Sequence, residues 1–339
     1  MNLSLRIKHL ANEEKHVYNW LCLQKVSTLF KKEGLEIMTV FAAFDHDEII
    51  DYLKKQVKDG KVFTDEDTLK KHSFSPNVTS EQSGLASAFI EAHSTEDVKG
   101  VLKAARKFHI PVITQDQFTS TVVGADGITN SFIISTAKMN KIKEISKADS
   151  VAVVEPGVIN GDLDKEARKQ GMFYAPDPGS RPMSGIGGNA ATNAGGMSTV
   201  KYGATRDNVL GLKVVLADGR ELKLGGRTLK QTFSYDLTHL FVGSEGTLGI
   251  ITEITVKLMP IPLGTPLMGI AFFEDMGTLA KAVADIRISG VYPTMLEALD
   301  AKTIAAIDKL DGTNYSANGG SMLIFQTGCQ HKSSRRFVK

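Results

Sequence analysis

Short apolar runs alternate with amphipathic stretches along most of the chain. That spacing predicts strands and helices in alternation, not an all-helical or all-strand protein. Ala88–Glu91 reads as a short buried strand. Ser94 or Thr95 can cap a helix reaching about Phe108, with Glu96 and Asp97 in its first turn, where the helix dipole favours acids. Residues 111–114, Phe132–Ser135 and residues 151–155 follow as strands, the last stopped by Pro156-Gly157. A helix over 161–170 ends at Gly171, and strands 209–216 and 221–224 flank Asp218-Gly219, a hairpin-turn pair. Residues 249–258 alternate β-branched and polar positions and run into Pro260 and Pro262, which mark a domain boundary. From Pro266 the pattern is βαβαβ: a strand, a helix over 275–289, a strand over 293–299, a helix over 301–310 and a strand over 321–327.

Both ends change texture. Residues 39–44 are apolar, and 45–58 read as a helix with Asp45 and Asp47 early and Lys54, Lys55 and Lys58 late. Two readings of residues 1–37 stay open: a native helical hairpin carrying Trp20, or an extension ahead of a natural start at Met38. No apolar segment with a small-residue cleavage site opens the chain, so no signal peptide is expected. At the other end the basic tail His331–Arg336 directly follows a strand, which reads either as a solvated tail or as a chain cut short.

Composition narrows the function classes. The 339 residues are 42% hydrophobic and 23% charged, as in a soluble globular protein long enough to bury a large core. Forty Lys and Arg against 38 Asp and Glu leave a net charge of +2, and no basic tract suits a phosphate backbone, so no nucleic-acid partner is expected. No apolar stretch approaches the ~18 residues of a membrane span. Two cysteines, Cys22 and Cys329, argue against a disulfide framework or a cysteine-built metal site.

The centre of the chain holds the candidate chemistry. Seven of the 31 glycines fall between Gly179 and Gly203, about three times the average density, and no Asp or Glu occurs from Pro178 through Arg206. Asn, Thr and Ser fill the gaps instead of the monotony of a flexible linker. Such a backbone approaches a ligand closely and can turn its N–H groups inward, and with carboxylates excluded the natural ligand is an anion, most simply a phosphate. The GxxxxGK[ST] loop of NTPases is absent. Gly185-Ile186-Gly187-Gly188 lacks the preceding strand and the ribose-binding acid of a Rossmann fold.

Several motifs here resemble a known family. Pro176-Asp177-Pro178-Gly179, Gly185-Ile186-Gly187-Gly188-Asn189, Ala191-Thr192-Asn193-Ala194-Gly195-Gly196, Lys201-Tyr202-Gly203 and Arg206-Asp207-Asn208 are similar to the FAD-binding PCMH-type domain of the vanillyl-alcohol-oxidase superfamily. So are Gly225-Gly226-Arg227-Thr228, Tyr235-Asp236-Leu237 and the run from Phe241 to Ile250. The nearest branch is the glycolate oxidase D-subunit and FAD-dependent D-lactate dehydrogenase group. The resemblance implies an α+β fold: an N-terminal helical segment (1–81), a FAD-binding domain of two α+β subdomains (82–262), and an incomplete ferredoxin-like cap (263–339). It implies non-covalent FAD, a small 2-hydroxy acid as substrate, and hydride transfer from its α-carbon to the flavin while a base takes the hydroxyl proton. Electrons would pass to oxygen, a quinone or a partner subunit. The implied setting is cytoplasmic, free or peripheral at the inner face of the membrane, with a homodimer as one assembly open to it. A non-catalytic or partner-dependent flavin-binding chain is the alternative reading.

Carried over by motif, the cofactor-binding positions are Thr119, Pro176, Asp177, Pro178, Gly179, Ser180, Ser184, Gly185, Gly187, Gly188, Thr192, Asn193, Ala194, Gly195, Glu245, Gly246, Thr247, Gly249, Ile250 and Ile251. One loop departs from the family. Where the pattern has an arginine and consecutive glycines, this chain has Gln115-Asp116-Gln117-Phe118, and only Thr119 matches. Bulky side chains there hinder close approach, and Asp116 places negative charge beside a diphosphate. The loop has no histidine for a covalent flavin link. No catalytic residue and no metal ligand is assigned, since the eight histidines form no HxH or HExxH cluster. His239 is read as a packed or surface residue, Arg227 and Tyr235 as braces of their loop, Met183 and Met197 as packing residues, and Lys230 as solvated.

Overall fold

The computed structural model describes residues 45–76, 81, 83–232 and 234–328. Both readings of residues 1–37, and the tail His331–Arg336, lie outside the described residues. The chain divides into two compact units, 1–49 and 50–339. Of the first, only the opening of helix α1 (His46–Gln56) is described. Asp47 and Glu48 occupy the first turn of α1, with Lys54 and Lys55 in its last, as the dipole favours.

Strands β1 (Lys61–Phe63), β2 (Ala88–Glu91), β3 (Val112–Gln115) and β4 (Phe132–Ser135) form a sheet in the order β1-β2-β4-β3. β2, β4 and β3 run parallel, and β1 closes one edge antiparallel. Parallel strands are covered on both faces, which explains why Phe132–Ser135 is apolar almost throughout and fully buried. Helix α2 (Glu66–Ser73), capped by the Asp65 side chain, lies between β1 and β2. Helix α3 (Thr95–Phe108) makes the crossover from β2 to β3, with Ser94 as its cap. β1 belongs to the span read as an N-terminal helical segment, yet Lys61 pairs with Glu91 and Phe63 with Phe89. A three-residue Lys-Val-Phe strand is too short to carry a readable two-residue period.

Strands β5 (Ile142–Ser146), β6 (Val151–Val154), β7 (Met172–Phe173), β8 (Val209–Val215), β9 (Glu221–Gly225), β10 (Ile250–Lys257) and β11 (Met259–Pro260) follow. Five of them form an antiparallel sheet in the order β5-β6-β10-β8-β9, while β7 pairs with β11. The β8–β9 hairpin turns at Asp218-Gly219, where Gly219 takes φ +88°. Helix α4 (Asn160–Arg168) and short helix α5 (Ile186–Thr192) cover one face. Leu163, Ala167, Ile186 and Ala190 join Val154, Leu212, Val214, Ile254 and Val256 in one core. Part of the glycine-rich centre is therefore helical, anchored by Ile186 and Ala190.

A third layer holds β12 (Met268–Phe273), helix α6 (Met276–Ile288), β13 (Met295–Asp300), helix α7 (Ala301–Asp311) and β14 (Ser321–Gln326). Its sheet is antiparallel in the order β12-β14-β13. Asp275 and Asp300 cap the two helices by accepting the N–H of Thr278 (2.7 Å) and of Thr303 (2.8 Å). The fold is α+β throughout. Among the described residues no helix is long and apolar enough to cross a membrane.

Candidate functional site

The loop leaving β3 forms one lip of a deep groove. At its root Gln115 is buried, and its side-chain amide donates to the carbonyls of His72 (2.6 Å) and Ala125 (2.7 Å), so both ends of the loop are tied to one residue. Gln117 reaches the Gly157 carbonyl (3.3 Å). Phe118 sits at φ +55°, a left-handed conformation that costs a side-chain-bearing residue of order 1 kcal/mol or more. The loop thus keeps a glycine-type backbone shape while carrying a phenylalanine.

The opposite wall is the glycine-rich centre. Asn160, at the start of α4, donates to the Pro176 carbonyl (3.2 Å) and to Asn189 Oδ1 (3.0 Å), and Asn189 donates to Ser184 Oγ (3.0 Å). This buried amide pair holds three segments of the wall together. Main-chain N–H groups of Ile186 and Gly187 donate to the carbonyls of Val158 (2.8 Å) and Pro156 (2.7 Å). Those two amides, expected to face an anion, are spent on packing α5 against the Pro156 turn. A Cβ on Gly187 would lie 2.4 Å from Pro156 Cβ, so glycine is required by that approach. Glu245 and Gly246, at φ +50° and +77°, complete the groove, Gly246 packing on Thr114 and the Glu245 carboxylate lying beside Gly124.

The groove encloses about 700 Å³, within the range of roughly 300–1,000 Å³ usual for cofactor pockets. All but four of the twenty predicted positions line it. The exceptions are Pro176, Asp177, Pro178 and Thr247, which organise the wall from behind. Asp177 Oδ1 accepts the Ser198 N–H (3.0 Å) and hydroxyl (2.7 Å), the Pro178 carbonyl accepts the Arg181 N–H (2.8 Å), and Thr247 donates to the Ser244 carbonyl (2.6 Å). Thr114, Gln115 and Ser120 of the departing loop also line the groove, as do Thr121 and Pro156, which the sequence did not single out. Pro156-Gly157 read only as a strand stop, and the loop after β3 carries little of the expected motif.

The wall from 178 to 206 is acid-free along the chain, but the groove is not: Asp116, expected beside the diphosphate, lines it. Asp116 enters from the β3 loop and fills the space that two glycines leave open. Its Oδ2 accepts the Gly188 N–H (2.9 Å), and a Cβ on Gly185 would lie 2.0 Å from that oxygen. Asp116 keeps some surface toward the groove, but its Oδ1 is sealed from solvent without a partner, and burial pushes the carboxyl up to about 7. The basic residues of the glycine-rich stretch point elsewhere. Arg181 pairs with buried Asp164, Arg206 donates to the Val242 carbonyl (3.2 Å), and Lys201 lies over the Tyr202 ring (5.3 Å).

Other singled-out residues fall as follows. Arg227 forms a two-pronged bridge to Glu144 (both 2.7 Å) and reaches Asp149 (2.7 Å), bracing β9 against the β5 edge. Tyr235 braces nothing: it is 91% exposed. Met183 and Met197 are also exposed instead of packed. Lys230 is exposed. Half-exposed His239 has both ring nitrogens engaged, one by Asp236 and one by the Arg206 carbonyl (2.9 Å).

Hydroxyls from Thr119, Ser120, Ser180 and Thr192, bare main chain at Gly179 and Gly195, and the apolar Ile250 and Ile251 suit a large cofactor with a polar middle and a flat apolar end. A Cβ at Gly179 would meet nothing within 4 Å, so the wall is open there. The donor set fits FAD, with Asp116 and Glu245 as the discordant members. Comparison with known proteins agrees. Residues 86–225 match the FAD binding domain, and residues 267–336 match the C-terminal domain of FAD linked oxidases. The chain is 38% identical over 235 residues to the glycolate oxidase subunit GlcD of Bacillus subtilis, covering 69% of this chain and 50% of that protein. It is 40% identical over 223 residues to a D-lactate dehydrogenase of Anaerostipes hadrus, covering 66% of this chain and 46% of the relative. The chain therefore spans about half the length of the curated relatives it matches. Among solved structures, 4-ethylphenol oxidase from Gulosibacter chungangensis superposes with a TM-score of 0.71 at 21% identity, over 84% of this chain and 60% of that one, which shows the shared fold. The chain belongs to the FAD-linked oxidoreductases, with an FAD-binding domain followed by an FAD-linked oxidase C-terminal domain, and FAD is its cofactor.

Proposed function

We propose that FAD lies in the groove between the β3 loop and the Gly179–Gly195 wall, and that the chain serves the oxidation of a small 2-hydroxy acid of the glycolate or D-lactate type. One observation carries this reading: three segments distant in sequence, 114–125, 179–195 and 245–251, converge on a single groove of cofactor size. Main chain at Gly179 and Gly195 and the hydroxyls of Ser180, Thr192, Thr119 and Ser120 would hold the polar middle of the cofactor. Ile250 and Ile251 would back its apolar part. FAD supplies a ring that accepts a hydride from the substrate carbon. The chain's own contribution is to fix that ring and to shield one side of it from water. His239 does not serve as the base, because Asp236 and a carbonyl occupy it. The relatives' names and the matched oxidase domain support the substrate class.

The test is spectroscopic. Purified full-length chain is titrated with FAD, then mixed anaerobically with glycolate or D-lactate. The expected result is a bound flavin spectrum that bleaches with one of the two acids. Bound flavin that bleaches with neither supports the partner-dependent alternative. Protein whose melting ignores added FAD refutes the assignment of the groove.

A further inference from the structure

Of the thirty residues lining the groove, the charged ones are Asp116 and Glu245, both acidic; no lysine, arginine or histidine is among them. The diphosphate of FAD is itself doubly negative. An ionised Asp116 would therefore meet like charge with no cation to offset it, in a partly desolvated site where such charges are screened least. Among the described residues, nothing packed around Asp116 supplies compensation. Residues 186–192 of α5 carry no charged side chain, and on the β4 side a hydroxyl, Ser135, reaches the Asp116 carbonyl (3.5 Å). Glu245 stands across the groove beside Gly124. His72, one layer behind, is bonded to Gln115 Oε1 (3.3 Å) and is held below the usual histidine range by burial, so it brings no positive charge at neutral pH.

The neutral acid, by contrast, suits the geometry. Oδ2 accepts the Gly188 N–H, while the partnerless Oδ1 can carry the proton. A protonated carboxyl leaves no bare charge in the wall where an anion must be tolerated. We propose that FAD enters this groove together with a proton on Asp116, so that cofactor loading is tight on the acidic side of neutrality and weak on the alkaline side. This rests on the groove being the seat of FAD and is independent of which acid is oxidised.

The sign follows from linkage. Burial already favours the neutral acid up to about pH 7, and the arriving diphosphate favours it further. Above that pH the free protein has lost the proton and must regain one to bind, so Kd rises by up to roughly tenfold per pH unit. The experiment measures the FAD Kd of apo full-length chain by flavin fluorescence between about pH 6 and 9, for the wild type, Asp116→Asn and Glu245→Gln. Titration calorimetry of the wild type above pH 7, in buffers of different ionisation enthalpy, counts the protons taken up. Expected results are a wild-type Kd rising at least tenfold across the range, uptake approaching one proton, a flat profile for Asp116→Asn, and a retained slope for Glu245→Gln. A flat wild-type profile, no proton uptake, or a slope abolished only by Glu245→Gln overturns the inference while leaving the groove assignment intact. Absence of FAD binding at every pH overturns both. Calorimetry on the wild type decides the question even if Asp116→Asn fails to fold.

Discussion

Asp97 offers a prediction whose size can be worked out bond by bond. It is buried in the first turn of α3. Its Oδ1 accepts the main-chain N–H groups of Lys58 (2.9 Å) and Asp59 (3.0 Å), and its Oδ2 accepts that of His93 (3.0 Å). One carboxylate thus closes the turn between α1 and β1 and fixes the chain as it enters α3. Burial penalises the charge, but the amide bonds from Asp59, His93 and Lys58 outweigh it and hold the carboxyl below the ordinary carboxylate value. Asp97→Asn preserves the volume, removes the charge and sets an NH₂ group against at least one N–H donor. Bonds to a charged acceptor contribute roughly 1.5–3 kcal/mol each and neutral ones about 1. Three weakened bonds, one of them broken, amount to a loss of about 2–3 kcal/mol once access of the 58–60 turn to water is allowed for. At about 2–4 °C per kcal/mol for a domain of 150–250 residues, thermal unfolding at neutral pH should shift down by roughly 4–12 °C. The pH dependence has a definite sign. A carboxyl lowered in the folded state stabilises above its unfolded value, near 4, and the benefit vanishes as pH falls through the folded value. The gap between wild type and Asp97→Asn should therefore shrink as pH falls below about 5. A Tm within about 1 °C of wild type at neutral pH, or a gap undiminished at low pH, refutes the reasoning.

Further predictions concern the site and its supports. Gly185→Ala drives a Cβ into the Asp116 carboxyl, so it should cost about 1–3 kcal/mol in denaturant unfolding and cost far less in an Asp116→Gly background; additivity within about 0.5 kcal/mol would show that the two side chains do not share that space. Arg227→Gln removes a solvent-exposed bridge to Glu144 and Asp149, and should change stability by under about 1 kcal/mol and leave FAD affinity unchanged in the same fluorescence titration. Gly187→Leu, whose side chain must enter the Pro156 backbone, should abolish FAD-dependent stabilisation in a melting assay; a normal FAD-induced rise in Tm would argue that this approach does not shape the groove.

Elements held by local rules are legible in the chain itself. The helix over Thr95–Phe108 is marked by Ser94, Glu96 and Asp97, and the β8–β9 hairpin by Asp218-Gly219. The βαβαβ order after Pro266 follows from apolar period and from capping aspartates at 275 and 300. The glycine-rich centre announces a ligand wall, because glycine density with no acid is a property of composition. β1 and the edge strand β5 escape notice, since three residues, or an Ile-Lys-Glu-Ile-Ser pattern half turned to solvent, carry little periodicity.

The sequence marks Asp116 as an acid beside the diphosphate; what the linear order could not settle is how that acid is buried and that no cation of the neighbouring stretch offsets it. An acid-free stretch of sequence is acid-free only along the chain. Asp116 arrives from a loop 72 positions away to take the Gly188 N–H, while Arg181, Lys201 and Arg206, adjacent in sequence to the wall, are drawn off by Asp164, a tyrosine ring and a carbonyl. Backbone shape is specified by neighbours along the chain, because sterics act over a few bonds. Electrostatic environment is specified by neighbours in space, because Coulomb interactions and burial depend on distance and solvent exclusion, which exist only once the sheets have packed.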